Sequence, residues 1–231
     1  GDVYKRQEYG QSAVVNNITP AKPHANVAYE RFTDSGPVAL LPMTEQRCAV
    51  VWTVRDEQLK QVLALDDDAF LAEFQQRFGY RLGRFLRTGK RTAYPLSLLR
   101  ARRSVRGRVA IIGNAAHTLH PIAGQGFNLG IRDVAALAEV VDDAFKVGRD
   151  IGAAETLALY ESWRLGEQRN VALATDGLAR LFSNPLSAVR LGRNLGLLAM
   201  ELLPGAKHPL ARAAMGMLGR QPRLARGVPL G

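Results

Sequence analysis

Arg108–Val141, RVAIIGNAAHTLHPIAGQGFNLGIRDVAALAEVV, is the stretch on which the reading of the whole chain turns. It opens on Arg108–Ile112, a short apolar run with β-branched residues, which predicts a buried strand. Gly113–Gly126 follows with three glycines and one proline, a composition that lets backbone come close to a ligand. From Gln125 onward Leu129, Val134, Leu137 and Val141 recur at helical spacing, with Ala135, Ala136 and Ala138 between them. That pattern predicts an amphipathic helix whose first turn is built from the glycine loop. A helix opening on small residues presents free backbone N–H groups and about half a positive charge at its N-terminus. Such an end suits an anion, or an oxygen on which negative charge develops.

Two other readings of the stretch fail. Gly124-x-Gly126-x-x-x-Gly130 imitates a dinucleotide fingerprint, but there the glycines follow their strand at once. Here eleven residues separate Ile112 from Gly124. His117-x-x-His120 could pair on a metal, yet the chain has four histidines and one cysteine and no third ligand nearby. Two loop histidines serving structure is the reading retained.

At 231 residues and 47% hydrophobic content, the chain can bury one sizeable core or two smaller ones. No uncharged apolar stretch approaches a membrane span and no signal peptide opens the chain. The lone Cys48, set in Cys48-Ala49-Val50-Val51-Trp52, excludes an internal disulfide and reads as a core residue without an activating group. These features lead us to expect a cytoplasmic protein. The net charge of +10 is uneven: Arg77–Arg108 holds eleven Lys/Arg and no acid, and Asp176–Gly231 holds eight Lys/Arg and two acids. Basic surfaces attract nucleic acid, anionic lipid or phosphorylated ligands. No RRM, KH or zinc module accompanies the charge, so nucleic acid is not expected as a partner, and a solvated face with counter-charges for a diphosphate cofactor is the plainer account.

Ser12–Asn17, Val27–Phe32, Val38–Pro42 and Arg47–Val54 read as four short strands separated by turn residues, an antiparallel sheet. Asp66–Asp68 offers N-cap candidates for a helix carrying Phe70, Leu71, Phe74, Phe78, Leu82 and Phe85 at spacings of three and four. Thr92–Leu96 reads as a returning strand and Arg100–Arg106 as a basic linker. Ala153–Phe182 is a long helical run with Leu157, Tyr160, Trp163, Leu178 and Leu181 inward, broken at Asn184-Pro185. A second helix spans Leu186–Leu203 and ends at Pro204-Gly205, and a third covers about 210–218. The tail from Gly219 is expected to fray, and Gly1–Gln7 carries no pattern.

Gly113-Asn114-Ala115-Ala116-His117, Pro121, Gly124-Gln125-Gly126, Asn128 and Arg132-Asp133 resemble the second FAD-binding motif of the aromatic-ring flavin monooxygenases. That motif usually runs G-D-A-A-H, then P-x-x-G-x-G-x-N, and the version here is most similar to the ubiquinone-biosynthesis hydroxylase branch. Asn114 stands where the wider family has an Asp reaching the flavin's ribityl chain; Asn keeps an acceptor oxygen, so that contact is expected to survive. Tyr9-Gly10-Gln11-Ser12-Ala13, Glu30-Arg31-Phe32, Gly36-Pro37, Leu40-Leu41-Pro42 and Val51-Trp52 look like the family's substrate-domain strands. Thr175-Asp176-Gly177-Leu178 and Gly192-Arg193-Asn194-Leu195 resemble its 2-polyprenyl-6-methoxyphenol hydroxylase members. The family's opening strand–GxGxxG–helix unit is not among these 231 residues, nor is its later Asp-Gly motif, so the chain looks like the C-terminal three-fifths of such an enzyme.

The resemblance implies an α/β fold. It comprises part of a para-hydroxybenzoate-hydroxylase-like FAD-binding domain, an antiparallel-sheet substrate domain and C-terminal helices, with a substrate region at 8–103, FAD-domain residues at 104–150 and a helical region with a frayed tail at 151–231. It implies FAD as cofactor, NAD(P)H as external electron donor, and hydroxylation of a polyprenylated phenol by dioxygen through a flavin C4a-hydroperoxide. Gly113 and Asn114 would face the ribityl chain. Gly124, Gln125, Gly126 and Phe127 would lie under the flavin ring, with Asn128 adding a side-chain contact and Pro121 bordering the substrate cavity. No catalytic residue is assigned, and Arg132 and Asp133 are expected to be structural, as helix surface and internal salt bridge. The partners implied are the prenylated phenol, dioxygen and a quinone-biosynthesis assembly. The basic C-terminal helices add contact with an anionic membrane surface, in competition with ordinary packing of a helical cap. A hydroxylase of another phenol, a basic nucleic-acid-binding module and a noncatalytic scaffold remain the competing readings.

Overall fold

The computed structural model describes residues 4–184, 186–203, 205, 208–209, 211–212, 215–217 and 219–230. The chain divides into two compact units: Gly1–Gln7, Ser97–Leu178 and Leu191–Gly231 form one, and Glu8–Leu96 with Ala179–Arg190 the other. This differs from a division at residues 103 and 150. The long helix after residue 150 buries its face on the same apolar residues as the strand and helix before it, so the two are not separable.

The second unit is an antiparallel sheet backed by two helices. Its strands are β1 (Tyr4–Pro20), β2 (Tyr29–Thr33), β3 (Gly36–Pro42), β4 (Cys48–Arg55), β5 (Phe85–Thr88) and β6 (Thr92–Ala101), in the order β2-β3-β4-β1-β6 with β5 pairing on β1. The register sets Val14 opposite Trp52 and Val38 opposite Trp52 on its other side. Alternation then turns Val14, Ile18, Val38, Leu40, Val50, Trp52 and Val54 to one face, where all are buried. Helices α1 (Asp56–Ala64) and α2 (Asp67–Phe78) cover that face. The Asp66 carboxylate caps α2 by accepting the Ala69 N–H at 2.7 Å. Cys48 is buried in this core, and burial raises its thiol pKa.

The expected aromatic row packs as one cluster: Phe70, Phe74 and Phe78 stack along α2, and Phe74 and Phe78 meet Phe85 at 5.1 and 5.7 Å between ring centres. Phe85 reaches it from β5, however, not from the helix. The helix stops at Gly79, whose φ of +91° an L side chain resists. Gln75 then turns the chain back. Its amide donates to the carbonyls of Gly79 (2.6 Å) and Gly83 (3.2 Å) and accepts the Phe85 N–H (3.0 Å). Leu82, expected on the helix, is buried from this turn. Neither α1 nor β5 was expected from the sequence. β1 begins at Tyr4, so residues 4–7, expected to be patternless, are strand.

In the first unit the end of β6 pairs with β9 (His117–Thr118), Leu99 opposite Thr118 and Arg100 opposite His117. β7 (Val105–Arg106) and β8 (Val109–Ala110) form a hairpin about Gly107. The strand expected over Arg108–Ile112 is therefore shorter. A ladder needs a partner at every residue, and β7 supplies two, with one further bond from the Ile111 N–H to the Ser104 carbonyl at 2.8 Å. Helices α3 (Gln125–Lys146) and α4 (Ala154–Ser183) pack through Ala136, Val140 and Tyr160 and through Leu129 and Ala172. Leu157 and Tyr160 are buried as expected, whereas Val134, Leu178 and Leu181 are exposed.

Helix α5 (Ser187–Leu202) buries none of its residues and exposes Leu191, Leu195, Leu198 and Leu202 along one stripe. Pro185 and Pro204, expected to break the helices, lie outside the described residues, as do 210, 213, 214 and 218 of the expected third helix. Of that region, 205, 208, 209, 211 and 212 are helical. Fraying is not what the described tail shows. Arg220 lies 3.8 Å over the Trp163 ring, and the Arg223 N–H donates to Glu139 Oε2 at 2.6 Å. Among the described residues no helix is long and apolar enough to cross a membrane.

Candidate functional site

All eight candidate cofactor residues fall in the first unit, on two turns that lead into one helix. Gly113–Ala115 forms a short 3-10 turn entered by Gly113 at φ +55°. Its backbone runs against the second turn of α3 so closely that a Cβ on Gly130 would sit 3.3 Å from Gly113 Cα. Gly130 is thus a packing glycine, a role its place in the imitation fingerprint concealed. Asn114 is exposed on this turn, and the Tyr4 hydroxyl donates to the Ala115 carbonyl at 3.2 Å.

The second turn begins at half-buried Pro121, is anchored by fully buried Ile122, and passes through Gly124 in the left-handed region at φ +61° into Gln125. No side chain caps α3 and no acid occupies its first turn. The Gln125 N–H donates to the Ile122 carbonyl, and among the described residues no side-chain charge offsets the positive end of the helix dipole in the first turn. A Cβ built on Gly124 or Gly126 would meet nothing within 4 Å. Phe127 is 75% exposed, and Asn128 is exposed beside it. The left-handed backbone lies at Gly124; Gly126 already has helical backbone.

Behind this surface lies a buried ionic cluster. The fully buried Asp133 accepts four bonds. Oδ2 takes the Gly113 N–H (3.2 Å) and pairs with His117 Nε2 (2.7 Å); Oδ1 takes Arg164 Nε (2.8 Å) and Gln168 Nε2 (3.1 Å). Burial pushes its pKa up, but the hydrogen bonds from His117, Arg164 and Gln168 outweigh it and leave the carboxyl below its ordinary value. Arg164, with no exposed surface, also pairs with Glu167, which in turn holds Arg132 at 2.6 Å. The internal salt bridge expected at Asp133 is present. Arg132 is not helix surface but 7% exposed. His117 is engaged in this cluster, while burial drives His120 down to about 4 against the opposing pull of Asp176. Arg164, Glu167 and Gln168 escaped sequence reading. Their one signal was that Tyr160, Arg164 and Gln168 share a helix face at steps of four, where apolar residues were expected.

The helix start is thus glycine-flanked and without a side-chain cap, and its neighbouring loop is tied back to a buried carboxylate. The family model described as FAD binding domain matches residues 3–170. The chain belongs to that family. It is 44% identical over 96% of its length to the ubiquinone hydroxylase UbiL of Rhodospirillum rubrum, covering 52% of that protein. It is 31% identical over 91% of its length to the 3-demethoxyubiquinol 3-hydroxylase of Escherichia coli, covering 54% of it. Both relatives are named for hydroxylation in the ubiquinone series. The chain spans about half the length of the relatives it matches. In fold it resembles the p-nitrophenol 4-monooxygenase of Pseudomonas putida, with a TM-score of 0.70 at 16% identity over 92% of this chain and 54% of that one. The mixed α/β architecture is therefore that of the FAD-dependent hydroxylases.

Proposed function

We propose that this segment supplies the flavin-ring side of an enzyme that hydroxylates the aromatic ring of a polyprenylated phenol in ubiquinone biosynthesis. The observation that carries the proposal is the uncapped, acid-free start of α3 with open space over Gly124 and Gly126, in a chain 44% identical to a ubiquinone hydroxylase. The residues present fit FAD. The Gly126 and Phe127 N–H groups would meet the electron-rich N1–C2=O edge of the ring, and Asn128 would add a side-chain bond. Gly113 and Asn114 would hold the ribityl chain, and Gly124 and Gln125 would carry the turn beneath the ring, with Pro121 bordering the substrate cavity. Bound FAD, reduced by NAD(P)H, supplies the redox chemistry with dioxygen. This chain's residues bind and orient it and place positive dipole where negative charge gathers.

The test uses the full-length protein that contains this segment. We expect stoichiometric FAD and NAD(P)H- and oxygen-dependent hydroxylation of a prenylated phenol in preference to an unprenylated one. Protein that binds no FAD overturns the reading, and turnover of only unprenylated phenols moves it to a different hydroxylase. The exposed leucine stripe of α5, flanked by Arg190 and Arg193, supports a peripheral site of action on the inner face of an anionic membrane, where a prenylated substrate resides. Sedimentation with anionic but not neutral vesicles, lost at high salt, is the expected result; equal recovery from both vesicle types removes this part of the proposal.

A further inference from the structure

Residues 51 and 55 positions downstream of Gly113, on another helix, converge on the carboxylate that holds the Gly113 amide. We infer that Arg164 and Gln168 of α4 are positioning residues for the flavin loop, acting through Asp133 to fix the orientation of Gly113 and Asn114; the inference rests on the reading of that loop as an FAD cradle.

The geometry leaves Asp133 little freedom. Arg164 Nε and Gln168 Nε2 both donate to Oδ1, at 2.8 and 3.1 Å, and they hold the carboxylate plane from the α4 side. The opposite oxygen, Oδ2, is thereby aimed at the Gly113 N–H and His117 Nε2. An Arg164 Nη2 bond to the Leu129 carbonyl at 3.5 Å ties the same guanidinium to the first turns of α3. Gly113 has φ +55° and touches Gly130 through backbone alone, so no side chain of its own keeps the turn in register. The bond from its N–H to the Asp133 carboxylate is a polar tether to α3. Without the two α4 donors, Oδ1 would be a buried, unsatisfied anion, and the carboxylate would rotate to recover partners. Such rotation releases Gly113 while leaving the apolar packing of α3 on α4, through Ala136, Val140 and Tyr160, in place. The effect therefore falls on the loop more than on the fold.

The experiment compares four forms of the full-length protein: wild type, Gln168→Met, Arg164→Lys and Leu157→Ala. Gln168→Met keeps the side-chain length and removes the donor. Arg164→Lys keeps the charge and loses the guanidinium fork. Leu157→Ala, at a core position of α4 4% exposed, lowers stability without touching Asp133. FAD dissociation constants, the visible absorption bands of the bound flavin, the Gly113 amide proton shift in glycine-labelled protein and apoprotein melting temperature are measured for each. We expect Gln168→Met to weaken FAD binding at least tenfold, shift the flavin bands and move the Gly113 amide resonance. Arg164→Lys should show a smaller shift of the same kind. Leu157→Ala should lose melting temperature while keeping wild-type FAD affinity and bands. Wild-type affinity, bands and Gly113 shift in both Gln168→Met and Arg164→Lys overturn the inference even if both melt early. A wild-type protein that binds no FAD instead overturns the cradle reading, and the inference falls with it.

Discussion

Gly126 and Gly130 lie four residues apart on one helix, and replacing each by valine should have opposite consequences. At Gly126 an added Cβ meets nothing within 4 Å and the backbone is helical. The fold loses no contact there, and valine recovers a few tenths of a kcal/mol of helix propensity relative to glycine. At Gly130 the Cβ would lie 3.3 Å from Gly113 Cα. That partner is backbone and cannot rotate away, so the two further methyl groups must push α3 and the Gly113 turn apart. Overpacking of this kind costs about 1–3 kcal/mol, or roughly 2–12 °C in melting temperature at about 2–4 °C per kcal/mol. In the full-length protein, Gly126→Val should melt with the wild type and lose FAD, because the methyl groups fill the space over the helix start. Gly130→Val should melt early. Differential scanning calorimetry of the apoproteins and FAD titration separate the two. If Gly126→Val keeps wild-type FAD affinity, the helix start is not the cradle. If it also melts as early as Gly130→Val, the space around it has been misread.

Further outcomes follow from the same geometry. Phe74→Ala should destabilise by about 3–5 kcal/mol in urea unfolding, since its buried ring contacts Trp52, Phe70, Phe78 and Phe85 together; a loss below 1 kcal/mol would contradict the packing. His120 has a folded pKa of about 4 against 6.5 ordinarily. The neutral ring is the one the fold accepts, so its contribution is intact above pH 6.5 and is lost as pH falls through about 4. Urea midpoints should drop between those values in the wild type and drop less in His120→Asn; parallel profiles would remove His120 from the account. The 231-residue chain by itself should bind FAD weakly, because it carries no GxGxxG unit for the adenosine diphosphate half. Purification with stoichiometric FAD would refute this.

The strands and helices that bury apolar residues at a clean period were legible in the sequence. β3 and β4, α2 from its Asp66 cap, α3 and the length of α4 needed only alternation, helical spacing and capping chemistry. What escaped was carried by polar groups acting at a distance. Phe85 was assigned to the helix because its spacing fits, and only Gln75, bonded to Gly79, Gly83 and Phe85, shows that the chain doubles back. The inward face of α3 contains Arg132, Asp133 and Glu139; a hydrophobic period cannot see buried charge, so Val134 was turned inward when it faces out. The loop that carries the family resemblance could be found by residue type and order. Its support could not, since Arg164 and Gln168 become neighbours of Asp133 only when α3 and α4 pack.

The C-terminal tail matters to anyone who shortens or fuses this chain. Glu139, Asp142 and Asp143 are brought together on one side of α3, and Arg223 joins all three, with Arg220 adding a second cation at Glu139. A stop codon placed at 219 on the ground that the following segment is Gly-, Pro- and Arg-rich would remove Arg220 and Arg223, leaving Asp142 with Lys146 and stripping Glu139 and Asp143 of the cations that pair with them here. The residues beyond Gly227 are another matter, for they are exposed through Pro229, and an affinity handle belongs there, after the cations and not in place of them.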